Sequence, residues 1–265
     1  MPEFSVIIAT HNRAKLLTRA LESVQQQTFP CQQIIVVSDT DDAETYRVVS
    51  KSMRTADLFI QRQGTPGPSE SRNLGMKLIS GDYFIFLDDD DSFHPDFLQN
   101  LVNQIPNSKP DNQLYYTNCE VVNEKLVDGL TQITDVQSVD LSGYDTSRVY
   151  VKNFIPNNCV IFPGRLATEI TFESQIAYED WDFILSACAK APLKYLPIFG
   201  PKIHKMTADD WQPRGKSNDD KLLDSYIKIY GRHPPPNPSV ALWRKELFAS
   251  VGLDIDTLVA KVPSP

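Results

Sequence analysis

Gly81-Asp82-Tyr83-Phe84-Ile85-Phe86-Leu87-Asp88-Asp89-Asp90-Asp91 sets the architecture of this chain. The unbroken apolar run from Tyr83 to Leu87 reads as a strand buried on both faces, the kind found inside parallel sheets. Gly81-Asp82 stops the element before it, and four adjacent carboxylates begin where the strand ends. Such anions repel one another unless solvent or a cation compensates.

The same arrangement occurs twice upstream. FSVIIA at residues 4–9 is an apolar strand followed by Thr10-His11-Asn12, and the β-branched run Gln33 to Val37 is followed by Ser38-Asp39-Thr40-Asp41-Asp42. Between them Leu16, Leu17, Ala20, Leu21 and Val24 recur at helical spacing, which predicts a helix that Asn12 can cap. Phe59-Ile60 marks a third strand, Gly64 to Pro68 a loop, and Ser69 to Ile79 a helix with Leu74, Leu78 and Ile79 on its apolar face. Alternating strands and helices imply an α/β fold: a Rossmann-like, mostly parallel sheet flanked by helices, with every strand's carboxyl end on one edge. Ligands bind at that edge, so Thr10 to Arg13, Ser38 to Asp42 and Asp88 to Asp91 should converge on one crevice.

Beyond residue 100 the pattern weakens. Leu114-Tyr115-Tyr116 reads as a strand, residues 120–150 as an irregular or β-rich insertion, and Ala177 to Ala191 as a helix with its entry loop. A polar, turn-rich loop is expected over Lys205 to Asp220, then helices over Lys221 to Tyr230 and Val240 to Val251, interrupted at His233-Pro234-Pro235-Pro236.

The chain has 265 residues with 26 basic and 34 acidic side chains, a formal charge of −8, which argues against a nucleic-acid partner. Cys31, Cys119, Cys159 and Cys188 form no C-x-x-C pair, so zinc and thioredoxin-like readings fail on spacing and a reducing cytoplasm is the simplest setting. No apolar run approaches the ~18 residues of a membrane span, and no export signal is evident.

Carboxylates on a loop at a sheet edge can hold a hard divalent cation and leave positions open for phosphate oxygens. The plain alternative is a solvated acidic turn. An EF-hand fails because its required glycine falls at Phe93. Asp88-x-Asp90-x-Ser92 after an apolar strand also resembles the nucleophile motif of haloacid-dehalogenase-like phosphatases, with Asp88 as nucleophile, Asp90 as acid/base, and Lys205 and Asp209-Asp210 in later roles.

Taken together, the segments resemble family 2 glycosyltransferases. FSVIIATHNR is similar to that family's opening strand and turn, QQIIVVSD to its second strand, and GPSESRNLGMKLISGDYFIFLDDDDSFHPDFL to its G-x-x-x-A-R-N to L-D-x-D-D stretch; Tyr178-Glu179-Asp180-Trp181-Asp182 resembles its later acidic motif. The resemblance implies a GT-A fold over residues 1–217, with a nucleotide-binding half (1–105), a small acceptor-side subdomain (106–217) and a C-terminal helical extension (218–265). It implies a metal-dependent, inverting transfer from a nucleoside-diphosphate sugar, UDP favoured on family frequency, to a glycan or lipid-linked hydroxyl. A non-catalytic sugar-nucleotide-binding module of the same fold is the remaining alternative. Mn²⁺ or Mg²⁺ would be held by Asp90, Asp88 and His204, with His11 as competitor for the last position and Asp91 orienting its neighbours. Thr10, Asn12, Arg13, Asp39, Arg72 and Asp89 would bind the nucleotide: Thr10 and Asp39 the base, Asp89 the ribose, Arg72 the phosphates. Ser38 and Thr40 depart from the family pattern beside the base. Asp180 is expected as general base with Glu179 beside it, although an acidic pair also suits any helix N-terminus. Trp181 reads equally as a sugar platform or a core residue, and His94 and His233 read as structural. Localisation would be cytoplasmic, with peripheral attachment to the inner membrane face left open.

Overall fold

The computed structural model describes residues 1–106, 112–173, 177–206, 219–250, 252, 253 and 255. Its first half is β1 (Phe4–Thr10), α1 (Ala14–Gln25), β2 (Gln33–Ser38), α2 (Ala43–Ser52), β3 (Leu58–Gln61), α3 (Pro68–Met76) and β4 (Tyr83–Phe86). These strands lie parallel in the order β3-β2-β1-β4. Both sheet faces are covered, which is why the strands read as continuous apolar runs. Ile7, Ile35, Val37, Phe84 and Phe86 fill one face, while Val6, Ile8, Ile34, Val36 and Ile85 fill the other. The register sets Thr10 opposite Ser38 and Ile7 opposite Phe86, so the three polar strand ends share one edge.

Local chemistry fixes the helices. Asp42 caps α2, accepting from Glu44 N at 3.2 Å and Thr45 N at 3.0 Å. Asn12 does not cap α1: it stands in the left-handed region at φ 51°, and Arg13 occupies the cap position without a side-chain bond. Helix α3 lies close against β1 because Gly75 has no side chain; a Cβ there would stand 2.6 Å from Ile7 Cγ2.

The second half adds β5 (Ser92–Phe93), α4 (Phe97–Gln104), β6 (Leu114–Val127), β7 (Leu130–Val139), β8 (Val160–Pro163), α5 (Glu179–Cys188), β9 (Leu193–Met206), α6 (Asp219–Arg232) and α7 (Pro238–Ala249). The sheet continues from β4 through β8, β6 and β9 to β5, with β7 paired to β6. Parallel pairing dominates the first half, whereas β8 runs antiparallel to both β4 and β6. The strand expected at Leu114 to Tyr116 runs on into the 120–150 insertion as β6 and returns as β7, a hairpin closed by Asp128-Gly129 with φ 51° and 77°. β9 includes Pro197 and Pro201, and its register against β6 shifts between Thr117 and Glu120.

Of the expected loop Lys205 to Asp220, Lys205 and Met206 end β9, Asp219 and Asp220 begin α6, and the rest lies outside the described residues. Helices α6 and α7 pack on α5 through Trp181, Tyr226, Tyr230 and Phe248. Buried His233 places Nε2 2.8 Å from Asp182 Oδ1, a structural contact as expected. Among the described residues no helix is long and apolar enough to cross a membrane.

Candidate active site

The aspartate run turns sharply after β4, with Asp91 N donating to Asp88 O at 3.0 Å, so its side chains point to different partners. Asp89 is buried; its Oδ2 accepts from Thr10 Oγ1 at 2.7 Å and its Oδ1 from Arg13 Nη1 at 3.2 Å. Arg13 Nη1 also donates to Asp90 Oδ2 at 2.6 Å, and Arg72 Nη2 donates to Asp88 Oδ1 at 2.8 Å. Asp91 is buried, with Oδ1 accepting from His204 N at 2.8 Å and Oδ2 from Asn158 Nδ2. Burial first, then the charges of Asp88 and Asp90, pushes the Asp91 carboxyl well above its ordinary value. Ligand oxygens of Asp88, Asp90 and Asp91 lie within 4.8 Å of one another. Hard oxygen donors that crowd like charges suit Mg²⁺ or Mn²⁺, because a cation would offset their repulsion.

His204 stands elsewhere than expected. Its Nδ1 is 2.8 Å from Glu124 Oε1 and its Nε2 2.8 Å from Ser92 Oγ, so both ring nitrogens are engaged, and the ring is outside the carboxylate cluster. Burial, with the nearby Arg19 charge, holds its pKa below the ordinary value. The residue serves Asp91 through its backbone N–H. His11 is likewise engaged, with Nδ1 2.6 Å from Asp39 Oδ1.

Asp39 is buried and also accepts from Gly67 N at 2.7 Å, with Arg62 Nη2 at 3.5 Å from the same oxygen. A narrow crevice between the ends of β1 and β2 and the start of α3 is lined by Thr10, His11, Asp39, Pro68 and Ser71. Asn12 is exposed outside it and lines a separate cavity of about 550 Å³ with Arg13, Lys15, Asp42 and Glu44.

Arg72 is almost fully buried. Besides Asp88, its guanidinium reaches Glu179 Oε1 at 3.2 Å and lies 5.3 Å from the Phe172 ring centre. Burial works against its charge, but Asp88 and Glu179 more than compensate and raise its pKa. Its fork is thus occupied by carboxylates that join β4 to the start of α5. Asp180, in the first turn of α5, accepts from Trp181 N at 2.8 Å and from Asn153 Nδ2 at 3.4 Å. Burial, then the neighbouring Glu179 charge, pushes its pKa up to about 6. Trp181 is a core residue, its Nε1 donating to Val149 O at 2.6 Å.

Four residues at this site had not been singled out in the sequence: Arg19, Glu124, Asn153 and Asn158. Arg19 Nη1 donates to the buried Glu124 at 2.9 Å, and Asn158 also accepts from Asp88 N at 3.3 Å. The one available signal was Asn157-Asn158, two polar residues directly before the apolar run Cys159 to Phe162.

The family model for glycosyl transferase family 2 matches residues 5–133. A Haemophilus influenzae protein described as an uncharacterized glycosyltransferase is 30% identical over 190 residues, 68% of this chain and 60% of that protein. The GalNAc(5)-diNAcBac-PP-undecaprenol beta-1,3-glucosyltransferase of Campylobacter jejuni is 36% identical over 105 residues, 38% of this chain and 34% of that protein. The chain therefore spans less than two thirds of either relative. Staphylococcus aureus TarS 1-349, solved in complex with UDP-GlcNAc, shares the fold with a TM-score of 0.69 at 18% identity, covering 98% of this chain and 76% of that one.

Proposed function

The chain belongs to glycosyl transferase family 2 and has the GT-A fold, and from that premise we propose that it moves a sugar from a nucleoside-diphosphate donor to a hydroxyl acceptor, with inversion at the anomeric carbon. The observation that carries this reading is Arg72, whose guanidinium joins Asp88 to Glu179 and so sets the aspartate run and the acidic pair on one cleft. Residues 1–105 would bind the nucleotide and residues 106–217 would build the acceptor side, with helices α6 and α7 as a C-terminal extension.

In the nucleotide half, Thr10 and Asp39 flank the crevice assigned to the base, Asp89 with Arg13 faces the ribose and phosphates, Asn12 lies at the rim, and Arg72 fixes Asp88 against the diphosphate. A UDP-sugar donor is favoured because the solved TarS complex holds UDP-GlcNAc. Asp90 and Asp88, with Asp91 beside them, would hold Mn²⁺ or Mg²⁺, which when bound offsets charge on the departing diphosphate. Asp180 takes the acceptor proton: a carboxylate with a pKa near 6 is ionised at neutral pH yet more basic than an ordinary aspartate. Glu179, held by Arg72, keeps α5 oriented. The Campylobacter relative's undecaprenol-linked acceptor supports a glycan or lipid-linked acceptor here, which would bring the chain to the inner face of the membrane.

A phosphatase reading requires Asp88 as a free nucleophile, whereas its carboxylate is paired with Arg72; Asp209-Asp210, its later acidic pair, lies outside the described residues. Calorimetry with UDP, GDP, CDP and dTDP, with and without Mn²⁺, tests the proposal. Metal-dependent binding of one nucleotide is expected, and its absence for all four sinks the reading. Turnover of the bound nucleotide sugar separates an enzyme from a binding module of the same fold.

A further inference from the structure

A pocket of about 550 Å³ lies between the segment after β7 and helix α7, walled by Tyr144, Arg148, Lys152, Asn153, Phe154 and Trp243. One of its walls touches the proposed base: Asn153 Nδ2 is 3.4 Å from Asp180 Oδ2, while its Oδ1 accepts from Ile155 N at 3.1 Å and fixes the amide. The walls combine two chemistries. Tyr144, 50% exposed, stacks on Phe154 with ring centres 4.6 Å apart and planes 10° apart, so a flat aromatic surface is held open to solvent. The Arg148 guanidinium lies 4.1 Å from the Trp243 ring centre. Among the described residues neither Arg148 nor Lys152 has a carboxylate partner, although Glu246 also lines the pocket.

Two unpaired cations on an aromatic pocket are out of keeping with a chain of net charge −8. Aromatic faces take the apolar face of a sugar ring, and a guanidinium fork with an ammonium takes a phosphate. We propose that this pocket receives the acceptor, and that the acceptor is a saccharide or polyol bearing a phosphate group. The proposal rests on the transferase reading of Asp180. The phosphate sits at Arg148 and Lys152, the ring lies against Tyr144, and Asn153 links that ring's site to Asp180. A polyprenyl-linked sugar and a soluble polyol phosphate both present this chemistry.

The test measures binding of two probe pairs to the full chain by NMR titration: N-acetylglucosamine 1-phosphate against N-acetylglucosamine, and a short polyprenyl phosphate against its alcohol in detergent micelles. In at least one pair the phosphorylated member should bind roughly tenfold more tightly, and that pair identifies the source. Arg148→Gln with Lys152→Gln should abolish the difference while UDP affinity stays unchanged. Lys152→Glu, at an exposed residue, gives the same reading without disturbing the Trp243 contact. Equal binding within both pairs, or a preference that survives in both variants, overturns the proposal. Loss of UDP binding by the parent chain, with the phosphate preference intact, would instead overturn the transferase reading and leave the phosphate site standing.

Discussion

Arg72 and Glu179, separated by 107 residues in sequence, meet at 3.2 Å between Nη1 and Oε1. This pair and the 2.8 Å bond to Asp88 depend on one buried guanidinium, so its removal leaves two carboxylates facing each other. Breaking a buried ion pair costs about 3–5 kcal/mol, less where the acids keep solvent contact, as both do. Arg72→Met should therefore lower stability by about 2–3 kcal/mol in urea unfolding. Arg72→Lys should recover only part of that, because an ammonium cannot fork to both acids.

Asp180 must be ionised to accept a proton. With its pKa at about 6, transfer should rise through that pH and level off above it. In Asp180→Asn the donor should bind as in the parent while transfer falls roughly 10²-fold or more. Parental rates in that variant would place the base elsewhere.

The same carboxyl carries a stability cost. Its folded-state pKa of about 6 lies above the ordinary aspartate value of 3.8, so the folded chain binds the extra proton and loses stability as pH climbs from about 4 to 6. Above that window the ionised group costs about 1–3 kcal/mol. Asp180→Asn should accordingly raise the melting temperature at pH 7.5 and change it little at pH 4, which thermal scans at the two pH values check.

Asp90 has a partly exposed side chain that, among the described residues, is bonded by Arg13 alone, at 2.6 Å. Replacing it with asparagine should abolish Mn²⁺-dependent nucleotide affinity while leaving the fold intact by circular dichroism. Chelation of the parent protein should have the same effect on nucleotide binding, and unchanged affinity in either experiment would remove the metal from the donor site.

The parallel half was legible because β1, β2 and β4 are covered on both faces and therefore written as unbroken apolar runs. The second half hides its strands. β9 carries Pro197, Gly200 and Pro201, residues that argue against a strand unless it tolerates irregular register. Asp128-Gly129 is a legible hairpin signal, but β7 is exposed along nearly all its length and lacks a clear alternating pattern. At the site, polar clusters at strand ends found Thr10, Asp39 and the aspartates. Contacts such as Arg72 with Glu179, or Asn158 with Asp91, left no local trace because only the folded topology brings them together. The family resemblance points to the His204 imidazole as a metal ligand, whereas in the fold both ring nitrogens are held by Ser92 and Glu124. β9 runs beside β6 with His204 opposite Val122, and the bond that reaches Asp91 comes from the backbone.

Gly75 and Arg72 belong to the same helix, and the missing Cβ at Gly75 lets that helix rest on Ile7. The position of a charged fork on one side of α3 is therefore gauged by an absent methyl group on another. A substitution that adds one carbon there would act as a shim under the helix, lifting the guanidinium away from Asp88 and Glu179 without touching any polar atom. Displacements near 1 Å can cost about a hundredfold in rate, so this glycine would behave in a screen for lost activity like a member of the site it never contacts.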